Sequence, residues 1–237
     1  MINELYNAPC FIINMDKCPD RMKLTTERVT NAGFKDIRRW RAVDAAEKGA
    51  LAAGWQRHGS PKFWEGDVEF TTTFPGKQGC MLSWLDLLKH IIDNKIPLVT
   101  IFEDDVLFHK NWAILAPKYY EATPKDFDYL YLGGQFDAPC FYAIDRVPTF
   151  CTHALVFTLA GATKIYNLLL NHPQGVSTID CMLINMQRNP FKCPFVYYVW
   201  NGTMHQDPNV FMAKDWTKRN AGLVFQDYDL GTFVREW

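Results

Sequence analysis

Glu103, Asp104 and Asp105 are three consecutive carboxylates standing directly after the apolar run Pro97 to Phe102. Adjacent carboxylates repel one another and burial adds to the cost, so such a triplet either faces water or is neutralised by a cation. A hard ion such as Mn2+ or Mg2+ fits the second case. Held by one or two carboxylates, it completes its shell with water and phosphate oxygens, which suits a diphosphate leaving group. A solvated acidic turn is the plainer alternative, and the buried strand in front of the triplet favours the ion. Two other groups invite the same comparison. Asp16 to Pro19 reads as a turn with Arg21 just beyond it. The planar fork of Arg21 either donates paired hydrogen bonds to phosphate or is simply solvated. Ser177 and Asp180 have the spacing of a capping box, so Asp180 either serves helix amides or offers its carboxylate to a site.

The bulk composition narrows the partners. With 25 basic and 26 acidic side chains in 237 residues, nothing in the charge balance favours nucleic acid or an anionic membrane. Seven cysteines form no C-x-x-C pair, and their odd number cannot all pair within one chain, so a reduced, cytoplasmic or otherwise intracellular setting is expected. The segment Met1 to Pro9 lacks the basic start and apolar run of a signal peptide. The longest uncharged stretch, Val147 to Thr163, contains His153, Gly161 and several threonines, which suits a buried strand running into a helix better than a membrane span. The expectation is a soluble protein with no integral membrane segment.

The elements that must position these residues follow from periodicity. Phe11 to Ile13 reads as a strand, and Pro19 opens a helix through Met22, Leu24, Val29 and Ala32 that Gly33 stops. Ile37 to Val43 returns to the sheet. Glu47 to Lys77 is rich in Gly, Pro and aromatics and reads as loop, with one short helix near Ala50 to Trp55. Its aromatics, with Trp40, form a recognition loop or simply fill the core. Met81, Trp84, Leu85, Leu88, Ile91 and Ile92 recur at intervals of three and four, predicting an amphipathic helix. Pro97 to Phe102 is then a buried strand, and the acids occupy its carboxyl end, the edge at which open α/β sheets bind ligands. Further strands are predicted at Phe127 to Leu132, ended by Gly133-Gly134, at Cys151 to Thr158 and at Phe195 to Trp200. Helices are predicted at about Ala160 to Asn171 and Ile179 to Gln187, and a loop-rich tail beyond Asn201. The fold class is α/β with a mostly parallel central sheet.

Taken in order, several blocks resemble one known family. Val99-Thr100-Ile101-Phe102-Glu103-Asp104-Asp105-Val106-Leu107, preceded by Gly79-Cys80-Met81-Leu82-Ser83, is similar to the signature of family 25 glycosyltransferases. That family includes bacterial lipooligosaccharide galactosyltransferases and procollagen (hydroxylysine) galactosyltransferases. Phe11 to Asp16, Pro19-Asp20-Arg21 and Ala42-Val43-Asp44 also fit, and the resemblance runs from about residue 9 to 207. It implies a single GT-A-type, Rossmann-like domain over residues 1–237. The donor-binding part would be about 9–110, the acceptor and catalytic part about 111–210, and the loop-rich tail 211–237. It also implies a UDP-sugar donor, a divalent ion and an inverting transfer of galactose or glucose to a glycan or protein hydroxyl.

Carried over residue by residue, the resemblance gives Glu103 the donor ribose and Asp105 the metal, with Asp104 either beside the donor or structural. Asn14, Asp16 and Arg21 fall where the nucleotide base and phosphates are expected, and Ser83 is a donor contact. Asp180 stands where family members carry an acid before a short helix and is the candidate general base; a helix cap is the alternative. His205 is either a late metal ligand or a surface-loop histidine. One departure is plain: Trp84 follows Ser83 where the family carries His, and Trp is neither a base nor a metal ligand. Two other functions share these features, a non-catalytic glycan- or partner-binding module and a metal-dependent nucleotidyltransferase.

Overall fold

The computed structural model describes residues 2–61, 75–138, 140–173, 175–189, 191–202 and 220–230. In chain order a short helix α1 (Asn3–Asn7) leads into β1 (Pro9–Asn14), α2 (Pro19–Asn31), β2 (Asp36–Arg41) and α3 (Ala50–Arg57). Pro19 fills the first helical position, where its missing N–H costs nothing. Next come α4 (Pro75–Asp93), β3 (Leu98–Glu103), β4 (Val106–Phe108) and α5 (Trp112–Ala122). The middle of the chain forms β5 (Tyr129–Tyr131), β6 (Gly133–Phe136), β7 (Ile144–Asp145), β8 (Thr149–Phe150) and β9 (Ala154–Thr158). The remainder is α6 (Leu159–Leu170), α7 (Ile179–Gln187), β10 (Tyr197–Trp200), β11 (Asn220–Gly222), β12 (Val224–Gln226) and a 3-10 turn, Tyr228–Leu230.

Seven strands form the central sheet in the order β2-β1-β3-β9-β5-β10-β7. β9 and β7 run against the other five, so the sheet is mixed but mostly parallel. Alternate side chains of each strand enter opposite cores, as the pleat demands. Phe11, Ile13, Val99, Ile101, Tyr129, Tyr131, Leu155 and Phe157 pack with Trp84, Leu88, Ile165 and Leu183 of α4, α6 and α7. Cys10, Ile12, Phe102, Leu130, Ala154 and Val156 pack with Leu5, Val29, Trp112 and Tyr120 of α1, α2 and α5. The result is three layers, helix on sheet on helix.

Four differences from the sequence reading have local causes. The amphipathic helix predicted from Met81 starts earlier, at Pro75, where the glycines of its first turns conceal the periodicity. The whole of α5 was not foreseen, because Pro117 interrupts its pattern. Gly133 and Gly134, expected to end a strand, do follow the end of β5 at Tyr131, but they also open β6. A Cβ on Gly133 would fall 1.7 Å from the Val224 carbonyl oxygen, so glycine there is what lets β12 approach. The predicted tail of loops contains two strands, β11 pairing with β6 and β12 with β4.

Candidate active site

β1 and β3 lie side by side and parallel, with Ile13 opposite Glu103, so Asn14 and the acids emerge together at the carboxyl edge of the sheet. There they line a cleft of about 590 Å³ whose walls include Arg21, Ala42 to Ala46, Lys77, Cys80, Ser83, Thr152, Asp180 and Gln226. One wall depends on Gly79 and Ser83 of α4. A Cβ at Gly79 would meet the Val43 carbonyl oxygen at 2.6 Å, so the helix and the segment after β2 approach as only glycine permits. Ser83 Oγ donates to the Gly79 carbonyl at 2.7 Å and accepts the Val43 amide at 2.8 Å.

The three acids have different surroundings. Asp104 is held inside the protein: Oδ2 accepts from Asn14 Nδ2 at 2.6 Å, Oδ1 faces the Arg21 guanidinium at 2.5 Å, and its carbonyl accepts from Thr25 Oγ1 at 2.8 Å. Glu103 Oε1 accepts from Thr152 Oγ1 at 3.0 Å. Burial, then the Asp105 carboxylate beside it, pushes the Glu103 carboxyl up to about 8. Asp105 is buried, and its Oδ2 accepts from Gln226 Nε2 at 3.1 Å and lies 3.3 Å from Arg21. Its Oδ1 is shielded from solvent and accepts no hydrogen bond among the described residues. Burial also raises the carboxyls of Asp104 and Asp105.

Of the other sequence candidates, Asn14 spends its amide within the protein, on Asp104, on the Cys18 carbonyl and on Arg39. Asp16 is half exposed and is gripped by Arg39 and Arg41, each at 2.6 Å, which hold its carboxyl below the usual range. It stands outside the residues lining the cleft. Asp180 does line it. The residue capping α7 is Thr178, which makes no side-chain cap bond, so the Ser177 capping box does not form. Asp180 Oδ1 accepts its neighbour's amide, Cys181 N, at 2.9 Å. His205 lies outside the described residues, as do Phe63, Trp64 and Phe70. Trp84 is 1% exposed and packs against Phe157 in the core, not on the cleft. Trp55 and Trp40 turn inward too, donating to Gln78 and to the Ser83 carbonyl.

Sequence reasoning missed Thr152, Gln226 and Lys77. Thr152 precedes β9, and because β9 runs antiparallel to β3, its leading end arrives at the same edge as the acids. Nothing in a lone apolar run announces its direction. Cys151 just before it adopts a left-handed backbone, φ 65°, a strained conformation of the kind found at functional sites. Gln226 arrives through β12, whose Gln226 pairs with Val106 and whose neighbour Asp227 donates its amide to the Asp105 carbonyl at 2.6 Å.

The donor set fits a hard cation in one respect. Buried carboxylates pushed toward protonation, one with an oxygen that accepts no hydrogen bond among the described residues, regain their charge when a cation sits beside them. Among the described residues no three His, Cys, Asp or Glu side chains gather as a complete metal site. An ion held at Asp105 would complete its shell with water and phosphate, as Mg2+ and similar ions commonly do.

The sequence model of a family described as glycosyltransferase family 25 (LPS biosynthesis protein) matches residues 7–175. No curated protein matches significantly. Among solved structures, a glycosyltransferase involved in glycosylating the major capsid of PBCV-1 is similar at 12% identity and TM-score 0.41, over 81% of this chain and 80% of its own. Mouse xyloside xylosyltransferase 1, apo form, is similar at 9% identity and TM-score 0.46, over 82% of this chain and 85% of its own. At those scores neither bears on the roles of individual residues. Among the described residues no helix is long and apolar enough to cross a membrane.

Proposed function

The chain belongs to glycosyltransferase family 25, and on that premise we propose that it transfers a hexose, galactose or glucose, from a UDP-sugar to a glycan or protein hydroxyl with inversion, using Mn2+ or Mg2+. The observation that carries this reading is one cleft in which Arg21, Glu103, Asp105 and Asp180 converge from four separate elements or turns. Asp105 would hold the cation through Oδ1, and a cation there supplies charge neutralisation to the departing diphosphate. Arg21 donates to phosphate oxygens, and Glu103, steadied by Thr152, takes the ribose hydroxyls. Asp104 keeps β1, α2 and the cluster in register.

Asp180 takes the proton of the acceptor hydroxyl as that oxygen attacks the anomeric carbon, while the bond from that carbon to the diphosphate breaks on the opposite face. The products are the β-linked glycoside, UDP and a protonated carboxyl. The test is to incubate the protein with a panel of nucleotide sugars and Mn2+ and measure released nucleotide with and without chelator. Turnover that survives chelation removes the cation from the mechanism, and release of pyrophosphate from a nucleoside triphosphate would make the protein a nucleotidyltransferase instead.

A further inference from the structure

Asp105 presents its two oxygens unequally. Oδ2 is engaged by Gln226 at 3.1 Å and by the Arg21 guanidinium at 3.3 Å, whereas Oδ1 is buried with no hydrogen bond among the described residues. Arg21 holds Asp104 Oδ1 as well, at 2.5 Å, so one positive charge already spans two of the three acids. A divalent ion approaching Asp105 meets that charge at short range beside a buried carboxylate, where repulsion is weakly screened. A diphosphate changes the balance. Arg21 lines the same cleft, and its planar fork matches phosphate oxygens at least as well as carboxylate ones.

We propose that Arg21 is a resident counter-cation that gates the divalent ion. In the free protein it weakens the cluster's hold on the ion, and when a nucleoside diphosphate group enters it turns to the phosphates and releases Asp105. Ion and diphosphate then favour each other's binding, and by linkage the effect is reciprocal. This inference rests on Asp105 being a cation ligand, as proposed above.

The test titrates Mn2+ into the intact protein by calorimetry, with and without saturating UDP, for the wild type, Arg21→Gln and Arg21→Lys. In Arg21→Gln, which keeps hydrogen bonds but not charge, Mn2+ affinity without UDP rises at least about fivefold. Its affinity with UDP does not rise to match, so the coupling shrinks from the free-protein side. Arg21→Lys, which keeps the charge, binds Mn2+ without UDP as the wild type does. An Arg21→Gln protein that unfolds cooperatively yet binds Mn2+ no more tightly than the wild type overturns the gate while leaving the cation reading standing. Should that variant fail to fold, Arg21→Met puts the same question with an apolar chain of similar length. A wild type that binds no Mn2+ under either condition overturns the cation reading and the gate together.

Discussion

Asp104 and Asp105 are neighbours in sequence with different surroundings. Asp104 is spent on Asn14, Arg21 and, through its carbonyl, Thr25, so its removal is felt first as lost stability. Breaking a buried, hydrogen-bonded pair leaves its partners unpaired, so Asp104→Ala is expected to cost about 3 kcal/mol in urea unfolding. Asp105→Asn should leave the protein folded and abolish Mn2+-dependent nucleotide release, because an amide is a poor ligand for a hard cation and cannot neutralise it. For Asp180 the sensitive quantity is the chemical step. Asp180→Asn is expected to lower kcat by about 10²- to 10⁴-fold with little change in donor KM, measured in steady-state assays. An unchanged kcat would transfer the proton to another group and strip Asp180 of its role. The acid triplet and Asp180 were legible because chemistry-bearing residues stood at the ends of recognisable elements. The saturation of Asn14 and the engagement of Asp16 by Arg39 and Arg41 were not, since hydrogen-bond partners across strands leave no local signature.

At the scale of elements, the cleft wall rests on the contact between α4 and the segment following β2. Gly79→Ala pushes a methyl into the Val43 carbonyl at 2.6 Å, and backbone on both sides leaves little room to yield. The expected outcome is a destabilisation of about 1–3 kcal/mol, with weaker UDP binding by calorimetry because Ala42 to Ala46 line the cleft. Ser83→Ala should act in the same direction by leaving the buried Val43 amide without its acceptor. The core elements β1, α2, β3, α6 and α7 were readable because each carries an unbroken apolar period or a clear start signal. Those that escaped notice are short, like β7 and β8, or broken by Pro117, like α5, or Gly-rich, like β6 and the opening of α4. The antiparallel course of β9 was hidden for a different reason. Strand direction depends on how the chain crosses between elements, which periodicity does not encode.

At the scale of the whole molecule, acid stability depends on a core residue with no part in the proposed chemistry. His153 is fully buried, its Nε2 donates to the Val224 carbonyl at 3.1 Å, and its Nδ1 has no hydrogen bond among the described residues. Burial lowers its pKa from the ordinary 6.5 to about 4, so the folded protein keeps it neutral while the unfolded chain protonates it. The unfolded state thus gains protons first as pH falls. Stability contributed by the neutral ring is fully present above about pH 6.5 and is lost as pH drops toward 4, by roughly 3 kcal/mol in total. The raised carboxyls of Glu103, Asp104 and Asp105 act in the opposite sense, so the histidine is read as a difference in urea unfolding between pH 7.5 and pH 4.5: the wild type should lose about 3 kcal/mol more than His153→Gln, which retains a donor for Val224. An equal pH dependence in both proteins would remove His153 as a source of acid sensitivity.

β12 gives the cluster a history in time. Gln226 reaches Asp105 across 121 residues of sequence, so on a chain made from its amino end the acids are synthesised long before the strand that caps them. Until β12 docks through the opening that Gly133 leaves for it, β4 is an open edge and Asp105 lacks one of its donors. On the proposed function, a chain that stops before β12 leaves the cleft without Gln226, and donor binding is expected to arrive only with the closing segment.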